Sequence, residues 1–460
     1  MNRRDLLTIA GGGALGLVAG PAFGQSRAPL LTSWLQRWLR AFNETDLRTY
    51  RRFVEHFAPS ALPYVDDDLA VREVTGGFVL LGTQVTGPDE ITAWVKDRLW
   101  DRHSRLVLTA RDADRLSDIS FAAAPSTSPI DRQDERGALA MLAAKLGAES
   151  RAGRFSGAVQ VARDGHVLFR HAGGMADIAG RRANRLPTRF CIGSMGKMFT
   201  AVAIMQLVEA GRLALTDRVG THLSGYPNRA IAERATIEQL LAHSGGTGDI
   251  FGPDYDANAA RLRTTEALVS FYGARAPVFE PGSRWGYSNY GYVLLGAILE
   301  RVTGRPYAEV VEERILRRCG MAATSLTFAS PYPGAIPYTG AAATGRRALD
   351  PYSGLPAGGG YSTAGDLHAF IQGLKRGRLT EMRTLAEMTR PRIQAGSGHW
   401  GLGFAIRTRN GVAYYGHGGG APGINADLAI YPRYETIVLC NRGHPAAVNV
   451  ADFIGTRLPA

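Results

Sequence analysis

At 460 residues the chain is longer than one hydrophobic core usually serves, so two folding units are expected. Hydrophobic residues make up 45% and charged residues 20%, the mix of a folded globular protein, which sets aside disordered and fibrous classes. The formal net charge of +12 raises nucleic acid and membrane surfaces as partners, but the arginines are scattered through the chain in no run or stripe, and no nucleic-acid role is expected.

The chain begins Met1-Asn2-Arg3-Arg4-Asp5-Leu6-Leu7, continues in a Gly/Ala/Leu run to Gly20 and reaches Ala22-Phe23-Gly24. Paired arginines, a short apolar stretch and small residues at a cleavage point describe an export signal of the twin-arginine type over residues 1–24. The run is too short and glycine-rich to span a bilayer stably, and no later segment is long and apolar enough. The expectation is a mature protein that is periplasmic or secreted, with no stable membrane span.

Residues 33–56 carry two helical patterns, one with Trp34, Leu35, Trp38, Leu39 and Phe42 on its apolar face, the other with Tyr50, Phe53, Val54 and Phe57. From Leu69 the pattern reads as short strands, at 77–81, 106–109 and 119–121, with one more helix expected over 89–99. Helices first and strands afterwards predict a small α+β unit over residues 29–122. By pattern it resembles the cone-shaped domains of the nuclear-transport-factor and polyketide-cyclase type. It shows no convergent acid/base set, so an accessory or dimerising role is expected.

Residues 123–131 have the Ala/Ser/Thr/Pro composition of a linker. The second unit, 132–460, opens with a helix near 136–151 and a hairpin turning at Asp164-Gly165. It closes with strand patterns at 400–407, 412–415, 426–431 and 436–440 and a helix near 446–457. Between them the chain reads as helix and loop. The predicted fold class is α/β in the sense of an α+β sandwich: an antiparallel sheet built from both ends of the unit, flanked by helices, with an all-helical insertion. Such a topology gathers residues distant in sequence around one cleft.

Within that insertion, Ser194-Met195-Gly196-Lys197 opens a stretch that is apolar nearly all round through Val208, with Gly211 just beyond as a stop. Positions i and i+3 share a helix face, which puts Lys197 one turn from Ser194. A hydroxyl is a poor nucleophile until a neighbour takes its proton, and a lysine in a dry site can do so. Lysine is also scarce here: only Lys96, Lys145, Lys197 and Lys375 occur, while arginine, which cannot give up its proton, supplies nearly all the positive charge. Even so, a serine three residues before some lysine arises by chance in roughly one such chain in five. Cys191, Cys319 and Cys440 fit neither a paired framework nor a metal spacing, and Cys191 is read as a strand residue rather than a rival nucleophile.

Two distant segments supply company. Tyr287-Ser288-Asn289 precedes another apolar helix, ended by Gly304; its phenol can shuttle a proton if nearby cations lower its pKa, and its amide can hold a substrate carbonyl. Tyr415-Gly416-His417-Gly418-Gly419-Gly420 ends a strand pattern, where glycines let the backbone approach a bound acyl group and point an N–H at its oxygen.

In this order and at these separations, the three motifs resemble those of the serine β-lactamase and penicillin-binding-protein superfamily, nearest its class C, D-peptidase and esterase branch. The turn Leu240-Leu241-Ala242-His243-Ser244-Gly245-Gly246 and the segment running from Pro356-Ala357-Gly358 to Asp366-Leu367 extend the resemblance over the last two-thirds of the chain. It implies Ser194 as the acylated nucleophile, Lys197 and Tyr287 as the general-base pair and Asn289 as a substrate-amide ligand. It places His417 where the family usually has a lysine, beside Gly419, and it implies an oxyanion hole from the backbone N–H groups of Ser194 and Gly420. His243 reads as a structural hydrogen-bonder. No cofactor and no metal are implied.

One departure bears on substrate. A Lys-Thr-Gly third motif attracts a carboxylate, whereas His417-Gly418-Gly419 is neutral or partly charged near pH 7 and lacks a hydroxyl. The reading is therefore an exported serine hydrolase acting on a small-molecule ester, peptide or lactam, with esters and D-amino-acid peptides favoured over lactams. The rival class is a slow or inactive sensor that binds wall peptides or β-lactams in the same cleft. The sequence leaves the oligomeric state open.

Overall fold

The computed structural model describes residues 27–124, 130–327, 334–339, 346–347 and 354–460. The expected export signal lies outside the described residues. No helix among them is long and apolar enough to cross a membrane.

The N-terminal unit opens with α1 (Ala28–Asn43), α2 (Leu47–Phe57) and α3 (Val65–Thr75). Trp34, Leu35, Trp38 and Phe42 of α1 are almost fully buried, as their spacing predicts. Helix α3 corrects the expectation that strands begin at Leu69. Asp66, Asp67 and Asp68 occupy its first turn, where the helix dipole favours acids, and Gly76 closes it in the left-handed conformation at φ 68°. Then come β1 (Phe78–Gly87), β2 (Glu90–Asp97), β3 (His103–Ala110) and β4 (Leu116–Ala123), paired antiparallel in chain order.

Strand β2 overturns the helix expected over 89–99. Ile91, Ala93 and Val95 alternate into the core, a period of two, and Pro88-Asp89 turns the chain back onto β1 through the pair Gly87 with Glu90.

The second unit begins with α4 (Glu135–Arg151), capped by the Asp134 side chain on Gly137 N–H, and the hairpin β5 (Gly157–Arg163) and β6 (His166–Gly173). After β7 (Phe190–Cys191), a 3-10 turn at Gly193–Met195 leads into α5 (Gly196–Glu209), so Ser194 sits in the turn rather than in the helix itself. Helix α6 (Asn289–Thr303), β8 (Tyr361–Ser362) and α7 (Ala364–Lys375) follow. The chain ends with β9 (Ile393–Ala395), β10 (Gly398–Trp400), β11 (Ala405–Arg409), β12 (Val412–Ala421), β13 (Ile424–Ile430), β14 (Tyr434–Cys440) and α8 (Ala446–Gly455).

The main sheet has eight strands in the order β9-β10-β11-β12-β13-β14-β5-β6, all antiparallel, joining both ends of the unit as the strand patterns predict. Strands β13 and β14 are buried along their whole length because helices cover both faces: α5 and α6 on one, α4 and α8 on the other. The insertion is not all-helical. Three short pairings interrupt it: Met175–Asp177 with Arg182–Ala183, β7 with β8, and Tyr338–Thr339 with Arg346–Arg347. Pairings of two or three residues are too short to print a period-two pattern in the sequence.

The two units share packing. Trp100, in the turn after β2, meets Phe453 of α8 edge to face at 5.9 Å, and its indole N–H donates to Val74 O at 3.0 Å. Arg102 pairs with Asp452 at 3.0 Å, and Arg457 with Asp101 at 3.0 Å.

Candidate active site

The Ser194 turn is pressed against the C-terminal end of β12. A Cβ at Gly419 would stand 2.0 Å from Ile192 O, and one at Gly193, where φ is +51°, would stand 3.0 Å from Gly420 N. Only glycine fits at both places, and their absence of side chains lets the backbone of Gly419 and Gly420 pack directly on Ile192 and Gly193, the residues that lead into Ser194.

Lys197 is fully buried one turn along the chain. Its Nζ lies 3.3 Å from Ser194 Oγ and 2.6 Å from Asn289 Oδ1, and it also donates to Ala357 O. It stands 4.8 Å above the Tyr287 ring and 5.4 Å above that of Tyr292. Burial drives its pKa down to about 7, opposed by the nearby negative charge of Asp249.

Tyr287 hydrogen-bonds the Ser194 side chain, yet burial outweighs that contact and raises its pKa above the usual phenol range. At rest the phenol keeps its proton. This alters the division of labour expected from the sequence, in which nearby cations lower the phenol's pKa: the buried amine, not the phenol, is the group able to accept a proton near neutral pH.

The third motif is similarly uncharged. His417 is buried, its Nδ1–H donates to Gly418 O at 2.6 Å, and burial, with help from Lys197, pushes its pKa down to about 3. It meets Trp400 edge to face at 5.3 Å, and its centroid is 6.5 Å from that of Tyr287. His243, with φ +57°, accepts the Ser288 N–H at Nδ1 (3.1 Å) and lies against the rings of Tyr287, Tyr292 and Trp400 at 4.3, 5.0 and 4.7 Å. It thereby anchors the loop that carries Tyr287 and Asn289.

All the residues singled out in the sequence, Ser194, Lys197, Tyr287, Asn289, His417, Gly419 and Gly420, therefore lie close together around the Ser194 turn. Asn289 has a second engagement: its Nδ2 lies 2.9 and 3.1 Å from the two carboxylate oxygens of Asp249. Asp249 and Trp400 are the site residues that sequence reasoning missed. The available signal for Asp249 was an acid three positions after the His243-Ser244-Gly245-Gly246 turn. Cys191 is buried in β7, and burial pushes its thiol up to about 11, so it is no competing nucleophile. Among the described residues no group of three or more His, Cys, Asp and Glu side chains could hold a metal ion.

Comparison with known proteins places this site in a family. The family model described as Beta-lactamase matches residues 135–458, leaving the N-terminal unit outside the match. Penicillin-binding protein 4* of Bacillus subtilis (strain 168) is 32% identical over 193 residues, 41% of either chain. Esterase EstB of Burkholderia gladioli is 34% identical over 229 residues, 43% of this chain and 55% of its own, and D-aminopeptidases of Brucella species are also relatives. This chain thus spans about half the length of these curated relatives. A solved penicillin-binding protein from Bacillus halodurans superposes with a TM-score of 0.59 at 28% identity, covering 66% of this chain and 97% of that one. The chain belongs to the Beta-lactamase family, a family of serine hydrolases.

Proposed function

We propose that this protein is an exported acyl hydrolase that works through an acyl-enzyme on Ser194, and that it favours uncharged esters and D-amino-acid peptides over lactams. The observation that carries the reading is the fully buried Lys197 with Nζ 3.3 Å from Ser194 Oγ. With a pKa near 7 the amine is substantially neutral at physiological pH and takes the Ser194 proton as Oγ attacks the acyl carbon. The oxyanion is met by the backbone N–H groups of Ser194 and Gly420. Tyr287, whose hydroxyl touches Ser194, passes a proton to the leaving group and is reprotonated by the adjacent Lys197 ammonium, which carries the proton taken from Ser194. Water then cleaves the acyl ester by the same route in reverse.

Substrate preference follows from charge. His417 is neutral, so the third motif offers no cation to a substrate carboxylate, and the rings of Trp285, Tyr287 and Trp400 make one wall of the cleft apolar. The names of the relatives, an esterase and D-aminopeptidases, support the same preference.

Ser194→Ala is expected to abolish hydrolysis of p-nitrophenyl butyrate and covalent labelling by a fluorophosphonate. Persistent labelling at another residue would overturn the nucleophile. A stoichiometric burst without steady turnover on esters, lactams and D-peptides alike would make the protein a sensor instead.

A further inference from the structure

We propose that Asp249 is a positioning residue: its carboxylate dictates which way the Asn289 amide faces and, through that amide, aims the Lys197 lone pair at Ser194. The inference rests on the acyl-enzyme reading above. A carboxylate only accepts hydrogen bonds, so with Asn289 Nδ2 at 2.9 and 3.1 Å from the Asp249 oxygens, the amide nitrogen must face Asp249. Asn289 Oδ1 must then face Lys197 Nζ, 2.6 Å away. The carbonyl of Ala357 is a second pure acceptor against the same Nζ. A neutral amine has two N–H bonds and one lone pair. With both N–H bonds assigned to these oxygens, the lone pair falls to the third neighbour, Ser194 Oγ at 3.3 Å, whose hydroxyl donates to it.

Asp249 is itself held in place, because the N–H groups of Ile250 and Phe251 donate to its Oδ1 at 2.6 and 3.3 Å. If its carboxylate is removed, the Asn289 amide is free to turn over and present Nδ2–H to Lys197. That N–H would occupy the lone pair, and Ser194 would lose its base. Asp249 also acts by charge. The groups facing Lys197 are the rings of Tyr287 and Tyr292, His243 and His417, both held neutral by burial, and Asp249, whose own pKa burial raises against the pull of the Asn289 amide, the Phe251 and Ile250 N–H groups and Lys197, and whose negative charge favours the ammonium form.

The test is a double-mutant cycle in the full chain, with p-nitrophenyl butyrate turnover followed from pH 4 to 9 and thermal unfolding recorded for each variant. Wild type against Ser194→Ala comes first, and absence of Ser194-dependent turnover overturns both readings before any Asp249 variant is needed. Asp249→Leu is expected to lower kcat roughly 10- to 100-fold with KM moved less, and to shift the acid limb to lower pH. Asn289→Leu should cost a similar factor, and the double variant should be no slower than the slower single one, because both changes remove the same constraint. Asp249→Asn keeps an oxygen for the loop N–H groups but no longer dictates the amide's direction; it should fold normally and still show a lowered limb. Multiplying losses in the double variant, or a wild-type rate and limb in Asp249→Asn, would overturn the proposal.

Discussion

Two aromatic clusters in this chain use the same packing for opposite ends. In the N-terminal unit Trp38 stacks on Phe42 at 4.7 Å, Phe42 stacks on Phe78 at 5.3 Å, and Tyr50 stands edge-on to Phe42 at 5.2 Å with its hydroxyl bonded to Asp68 at 2.7 Å. In the cleft, His243, Tyr287, Tyr292 and Trp400 make contacts of the same kind, with Tyr287 edge-on to Trp400 at 5.9 Å. Both clusters exclude water. The first encloses rings and converts burial into stability; the second encloses an amine and converts burial into a weaker hold on a proton. Preorganised sites commonly sacrifice stability in this way.

The largest effect that tests this contrast is Lys197→Met. The ordinary lysine pKa of 10.5 falls to about 7 on folding, so the unfolded chain binds more protons than the native one between those values. The resulting penalty, on the order of 5 kcal/mol, is fully present below pH 7 and fades as pH rises toward the unfolded value. Methionine removes it, offset by about 1 kcal/mol for each oxygen left without its donor. The variant is expected to lose roughly 1000-fold or more in ester turnover while resisting urea better than wild type at pH 6, with that advantage shrinking by pH 9.5. Destabilisation at pH 6 would break the contrast.

Trp38→Ala probes the other cluster. The side chain is fully buried, and truncating it should cost about 3 to 5 kcal/mol of stability. Ester turnover at 25 °C should stay at the wild-type level wherever the variant remains folded. A parallel loss of turnover in the folded state would show that the clusters are coupled. The coupling should run through their shared packing, where Arg102→Ala, breaking the partly buried pair with Asp452, is expected to cost about 1 kcal/mol in urea unfolding.

The cleft was more legible in the sequence than the N-terminal unit, for physical reasons. Ser194, Lys197, Tyr287, Asn289 and His417 carry chemistry that few residue types supply, at spacings tied to a helix turn or a strand end, so each left a readable mark. The long strands and buried helices of the second unit likewise show their periods. In contrast, β2 alternates but also carries Thr92 and Lys96 four positions apart, an interval that suits a helix face, and only its pairing with β1 and β3 decides the matter. Asp249 was hidden because its importance lies in a contact with Asn289, forty positions away, that no local pattern announces. The same holds for the neutrality of His417: a histidine beside three glycines reads as a titrating group until burial is known.

That neutrality gives the smallest and most discriminating effect. His417 and His243 are both held in the neutral form by burial, His417 with a pKa near 3 and His243 well below the usual value, so neither should ionise between pH 5 and 9. The acid limb of kcat/KM for an uncharged ester should then belong to Lys197 alone, rising about tenfold per pH unit below 7 and levelling above it. His417→Gln, which keeps polarity without an ionisable ring, should leave the midpoint of that limb within a few tenths of a pH unit of wild type. Were His417 protonated in the working range, its charge would be repelling the Lys197 ammonium, and removing it would raise the midpoint by a unit or more. An unmoved midpoint would sharpen the opening contrast: the cleft's histidines serve as rings, as Phe42 and Tyr50 do in the N-terminal core, and titration near neutral pH is left to the one amine they enclose.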